Sequence, residues 1–440
     1  MKLTRYILFA VLMMLLTLPA IQQYTGFVHE KPLKGAITAP TQPTLTVKSW
    51  FDASFQESYD DYLEQGIGFR PTLIRINNQI AFTMFDTALA NSVIIGKNNY
   101  LFEMNYIKAY EGLDFVGEEQ IKGQVAKARF LQDKLEENGK HFLIVFAPGK
   151  ASFYPEYIPD KYKLSKRGPT NYESFVKNCR SQGVHFLDFN AWFVSMKDTS
   201  KYPLYSKTGI HWSLYGVALA VDSLVKYMEK TSGIDMVDFS WDGVEVSKKP
   251  RETDSDISDG MNLLFPIPSG KLAYPAIRYN DSPEKVKPDV LVVGDSYYWN
   301  IMGSGIGSRL FDNNSFWFYN QEAHNPAWPN PKQVSSLNML EELGKQDFVI
   351  LLSTEANLFK FPFGFLDRAF QAYTNPTKAE SMSQVEREQK IKEIMASLRG
   401  SKESIKMIRE KAIKKKVTFE EMLRLDAEWV FNQKFGGNNQ

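Results

Sequence analysis

With 440 residues, 43% of them hydrophobic, the chain has room for one large α/β domain with extensions, or two medium domains, and can bury a substantial core. Its 52 Lys and Arg nearly cancel its 51 Asp and Glu, so no global field favours nucleic acid or an anionic surface, and nucleic acid is set aside as a partner. One cysteine, Cys179, excludes an intramolecular disulfide and a cysteine-ligated zinc site.

The first residues, MKLTRYILFAVLMMLLTLPAIQQ, place Lys2 and Arg5 before an apolar run from Tyr6 to Leu18. This is the pattern of an export signal. Leu18 stands where a cleavage site would want a small residue, which favours an uncleaved signal anchor over a signal peptide for residues 1–28. Residues 29–48 are rich in Pro, Thr and Lys without periodicity and read as a tether. From Ser49 to about Thr87 apolar positions recur at helical spacing, predicting amphipathic helices that cover the main domain.

NSVIIGKNNYLF predicts a hairpin around Lys97 to Asn99, and GEEQIKGQVAKARFLQDKLEENGK a helix stopped by Gly139. HFLIVFAP, VHFLDF, DVLVVGDS, FWFYN and DFVILLST read as strands, with helices such as NYESFVKNCRSQG, the one from Ser213 to Lys230 and SSLNMLEELGKQ between them. Strand and helix alternating at these spacings imply a parallel sheet covered on both faces, an α/β domain over residues 49–374. The pattern breaks near 233–288, where the polar WDGVEVSKKPRETDSDISDG reads as an insertion close to the site. Residues 375–440 read as a charged helical C-terminal extension, in which Lys414 to Lys416 form a solvated face.

In open parallel sheets, functional groups gather where strands end in loops and helix N-termini. DVLVVGDSYYWN puts Ser296 there, after Gly294 and Asp295, with backbone N–H groups at the helix start available to an oxyanion. A serine that merely caps a helix would look the same. A hydroxyl nucleophile needs a base. Of five histidines, His29 lies in the tether, His141 and His185 belong to strands and His324 to a Pro-rich loop. His211, in KTGIHWSLYG, precedes a helix and is followed by Trp212, a candidate pocket wall. Cys179 sits in a helix on the wrong side of the next strand for an active site and reads as a packing residue. No metal site or dissociable cofactor is implied.

His-Trp first and Gly-Asp-Ser afterwards, preceded by VIIGKNNYLF and FAPGKASFYPEYIP, resembles the AlgX/AlgJ-like family of SGNH-hydrolase-like proteins, exported proteins of polysaccharide O-acetylation. The resemblance runs to about Phe370 and implies an SGNH-hydrolase-like sheet with Ser296 as nucleophile and His211 as general base. It matches Lys150 to a family lysine, and it implies a polysaccharide acceptor, a membrane-bound O-acyltransferase as acetyl donor and a periplasmic domain anchored to the inner membrane. One position departs. Where Asp-x-His-Trp is usual, the acid falls on Gly209. Asp188 and Glu355, both at strand ends, are the candidate replacement acids. A backbone carbonyl completing a Ser-His dyad, or a degenerate site that binds glycan without turnover, are the alternatives; an acetyl esterase would use the same residues.

Overall fold

The computed structural model describes residues 2–35, 41–280, 282–376, 382, 384–415 and 417–435; part of the tether and Lys416 lie outside them. The strands are β1 (Val93–Ile95), β2 (Leu101–Glu103), β3 (His141–Ala147), β4 (Phe186–Asp188), β5 (Asp238–Ser247), β6 (Leu272–Asn280), β7 (Val290–Gly294), β8 (Asn314–Phe318), β9 (Glu322–His324), β10 (Lys332–Gln333) and β11 (Phe348–Thr354). The central sheet has the order β10-β9-β8-β7-β11-β3-β4. From β8 to β4 the pairing is parallel, and β9 and β10 add an antiparallel edge. The predicted hairpin is present as β1 and β2.

Alternation sends successive strand residues to opposite faces, and both faces are buried. Leu143, Val145, Val290, Val292, Ile350 and Leu352 face one core with the helix Leu214–Ser232. Phe142, Ile144, Leu291, Val293, Val349 and Leu351 face the other, under the helices Glu118–Glu136, Asn171–Gln182 and Phe365–Thr374. Thr170 opens the helix Asn171–Gln182 with a capping box and Gly183 closes it in the left-handed region. Cys179 is buried there, and burial pushes its thiol up to about 12.

The segment near 233–288 contains the separate antiparallel pair β5 and β6 and, between them, the short helix Asp256–Gly260. The C-terminal region forms three helices, Gln384–Gly400, Lys402–Lys415 and Phe419–Phe435, around small cores of its own such as Ile391, Ala427 and Phe431. The last of them starts at a box in which Thr418 and Glu421 bond each other's backbone N–H groups.

At the N-terminus, Leu3–Thr25 is a helix long and apolar enough to cross a membrane, and its apolar stretch is not buried against the rest of the protein. The helices that follow correct one expectation. Val47–Phe51 and Ser54–Gly66 bury no residue, so they do not cover the domain. Arg70–Phe85 instead leans on the loop after the helix Asp256–Gly260, Asn78 donating to the Met261 carbonyl at 2.8 Å and Gln79 accepting from Phe265 N–H at 3.0 Å. Lys34 joins the same loop, its backbone N–H donating to Asn262 Oδ1 at 2.8 Å and its carbonyl accepting from Asn262 Nδ2 at 2.9 Å, and its ammonium pairs with Asp259.

Candidate active site

β7 ends at Gly294, where a Cβ would stand 2.7 Å from the Leu352 carbonyl of β11, so only glycine lets the two strands close at this height. The chain then turns through Asp295 into the short turn Ser296–Tyr298. Asp295 is wholly buried. Its carboxylate accepts from Tyr297 N–H at 3.1 Å, Thr354 N–H at 2.8 Å, Thr354 Oγ1 at 3.0 Å and Asn357 Nδ2 at 2.9 Å. This clamp ties the end of β7 to the end of β11 and sets where Ser296 stands. Because Asp295 already takes the N–H groups of Tyr297 and Tyr298, the donors at this helix start are fewer than its sequence suggests.

His211 reaches the serine from the segment before the helix Leu214–Ser232, which Ser213 caps by accepting from Gly216 N–H at 3.1 Å. Its Nε2 lies 3.0 Å from Ser296 Oγ. The Tyr297 phenol donates to the Ile210 carbonyl at 2.6 Å, and its ring lies 4.7 Å from the imidazole, so the turn carrying the serine also grips the segment carrying the histidine.

The other ring nitrogen answers the question raised by Gly209. His211 Nδ1 lies 2.5 Å from Asp256 Oδ2, and Asp256 Oδ1 accepts from Ile210 N–H at 2.8 Å and Ile257 N–H at 2.7 Å. The acid comes from the inserted segment, 45 positions along the chain. A carboxylate fixed by two N–H donors presents its second oxygen to Nδ1, which selects the tautomer with the proton on Nδ1 and leaves Nε2 free to accept from the serine.

Gly209 and Asp256 depend on each other sterically. A Cβ at position 209 would stand 2.3 Å from the Thr253 carbonyl and 3.0 Å from the Asp254 carbonyl carbon, so the loop that brings Asp256 to the histidine occupies the space that a side chain at 209 would need. Behind it Asp254 is fully buried, and burial pushes its carboxyl up to about 7.

The two replacement acids expected from the sequence do not reach the histidine. Asp188 ends β4, three strands from β7 and so about 14 Å away across the sheet. Its carboxylate caps the helix Phe189–Met196 through Ala191 N–H at 2.9 Å and accepts from the Tyr172 phenol at 2.8 Å. Glu355 follows β11 but turns toward β3, where Ser152 Oγ donates to it at 2.5 Å and Gly149 leaves room for it. Burial pushes it up to about 7.

Trp212 is 1% exposed and therefore no pocket wall. Its indole donates to Asn300 Oδ1 at 3.2 Å, and Asn300 donates to Thr253 Oγ1 at 2.6 Å, which fastens the acid-bearing loop to the helix after Ser296. Lys150 is likewise buried; its ammonium donates to the Gly209 carbonyl and, at 3.1 Å, to that of Lys207. Burial lowers it to about 7, against the pull of Asp256 and Glu103. It supports the loop before His211 from beneath. His185 lies at the surface 3.5 Å from Glu136, and the His324 ring packs 4.8 Å from that of Trp299. Among the described residues no cluster of His, Cys, Asp and Glu could hold a metal ion.

Beside Ser296 and His211 opens a cavity of about 190 Å³, whose walls include Glu103, Asn105, Tyr106, Tyr319 and Asn357. Sequence reading missed Asp256 altogether. ETDSDISDG offers several acids within a few positions, and nothing local distinguishes the one that faces the histidine.

The family model described as an SGNH hydrolase-like domain, acetyltransferase AlgX, matches residues 93–251, a span that includes His211 and ends before Asp256 and Ser296. A Pseudomonas putida protein named "Probable alginate O-acetylase AlgJ" is 22% identical over 261 residues, 56% of this chain and 65% of that protein. The Pseudomonas aeruginosa protein of the same name is 26% identical over 145 residues, 33% of this chain and 35% of that one. The chain thus spans less than two thirds of the length of these curated relatives. The solved O-acetyltransferase domain of Pseudomonas putida AlgJ superposes with a TM-score of 0.42 at 19% identity, covering 64% of this chain and 99% of that domain. Residues 93–251 are thus similar to the SGNH hydrolase-like domain of AlgX, and the chain is similar in sequence to the AlgJ proteins.

Proposed function

We propose that this protein is an O-acetyltransferase that moves acetyl groups to a polysaccharide through a Ser296-His211-Asp256 triad. The observation that carries the reading is the unbroken run from Asp256 Oδ2 to His211 Nδ1 at 2.5 Å and from His211 Nε2 to Ser296 Oγ at 3.0 Å, beside a cavity of about 190 Å³. His211 takes the serine proton as Oγ attacks the acetyl carbonyl, and Asp256 stabilises the imidazolium. The oxyanion is met by N–H donors; the Ser296 amide and the Asn357 side chain on the cavity wall are the candidates. Collapse expels the donor's alcohol, protonated by His211. His211 then deprotonates a sugar hydroxyl, which attacks the acetyl-serine and restores the free serine.

The relatives' name, alginate O-acetylase, supports acetyl transfer to a polysaccharide. The exposed apolar helix Leu3–Thr25 supports anchoring in the inner membrane with the remaining domain in the periplasm, where a membrane-bound O-acyltransferase supplies the acetyl group. The Asp256 carboxylate beside His211 Nδ1 supports turnover over a site that only binds glycan. Mass spectrometry of the chain after incubation with an activated acetyl ester tests the proposal. An adduct on Ser296, lost in Ser296→Ala and His211→Ala, is expected; folded wild-type protein without one refutes it. Transfer of the acetyl to an oligosaccharide, rather than to water, separates the transferase from an esterase.

A further inference from the structure

The walls of the cavity beside Ser296 carry two acids, Glu103 and Asp256, one imidazole, and no Lys or Arg. Two lysines lie near the cavity without lining it. Lys150 is buried beneath the site, bonded to the Gly209 and Lys207 carbonyls. Lys360 lies over the Tyr319 ring, 4.2 Å from its centroid, and does not line the cavity. Burial, followed by the Asp256 charge, raises the Glu103 carboxyl, as expected of an acid on an acidic wall. Asn105, next along the same wall, has its Oδ1 buried with no hydrogen-bond partner among the described residues. A buried acceptor left unpaired is costly, so this wall asks its ligand for a donor.

We infer that the acceptor at this site is a neutral polysaccharide, whose hydroxyls donate to Asn105 Oδ1 and to Glu103, and that polyuronates are rejected. An ionised uronate carboxylate offers acceptors only, and it brings a negative charge toward two acids with no wall cation to receive it. A neutral hexose or pentose presents hydroxyl donors on every face. One like charge opposing another across roughly 10 Å at the effective dielectric of a protein surface is worth about tenfold in affinity. This inference rests on the acetyl-transfer reading for its biological meaning, but binding can be measured without turnover.

The test is calorimetric titration of the full chain carrying Ser296→Ala, in detergent, with a neutral β-1,4-glucan pentamer and with an oligomannuronate of equal length. The expected result is binding of the neutral oligomer about tenfold tighter. Glu103→Gln should narrow that ratio by strengthening the uronate, and Asn105→Ala should weaken the neutral ligand. Equal or tighter binding of the uronate, or a ratio untouched by both substitutions, overturns the inference. An acetyl adduct on wild-type Ser296, sought separately, decides the acetyl-transfer reading whichever oligomer binds.

Discussion

Replacing Asp256 by Asn tests the triad most directly. The amide keeps one oxygen for the Ile210 and Ile257 N–H groups, which the aspartate bonds at 2.8 and 2.7 Å, so the loop should stay in place. What changes is the partner of His211 Nδ1, now an N–H donor, which favours the tautomer with the proton on Nε2 and leaves no base for Ser296. The same change in serine proteases lowers kcat about 10⁴-fold. Here the Asp256 side chain is 26% exposed, so water can compensate in part, and a loss of about 10³-fold is expected, or about 4 kcal/mol of transition-state stabilisation. The assay is the initial rate of p-nitrophenyl acetate cleavage by wild type, Asp256→Asn, Asp188→Asn and Glu355→Gln, with melting temperatures alongside. If Asp256→Asn stays within about tenfold of wild type, or if a well-folded Asp188→Asn or Glu355→Gln loses as much, the assignment of the acid fails.

Two further substitutions probe what holds the triad. Gly209→Asp restores the acid of the usual motif, yet its Cβ would sit 2.3 Å from the Thr253 carbonyl; it should destabilise the fold by about 1–3 kcal/mol and lower activity rather than raise it, as thermal melts and the same rate assay will show. Lys150→Met should change how stability depends on pH. Lys150 titrates near 7 in the fold and at 10.5 in the open chain, so between these values the unfolded state binds the extra proton and wild-type stability rises with pH. Denaturant titrations of the two proteins at pH 6, 8 and 10 should show wild type gaining stability relative to the variant across that window; parallel curves would mean that the lysine is not buried as described.

How far the chain could be read from its sequence follows the range of the interactions. The five apolar runs from HFLIVFAP to DFVILLST became neighbouring strands because continuous apolar segments between helices have no other way to be buried on both faces. The Gly-Asp-Ser turn and the His-Trp helix entry were visible for a related reason: their caps, glycine and strand ends are local, and parallel topology brings strand ends together. Trp212 and Lys150 were visible as positions but not as roles, because whether a side chain walls a pocket or stiffens a loop depends on which element covers it. Asp256 lay beyond sequence reading. Its meeting with His211 is set by how the β5–β6 insertion folds back over residue 209, a contact 45 positions long that leaves one local trace, the glycine. The sequence by itself determined the sheet, the Gly-Asp-Ser turn and the His-Trp helix entry, since short-range periodicity and capping suffice for those. Only the tertiary structure decided which carboxylate meets His211, because that is set by distance to the imidazole and not by neighbours in the chain.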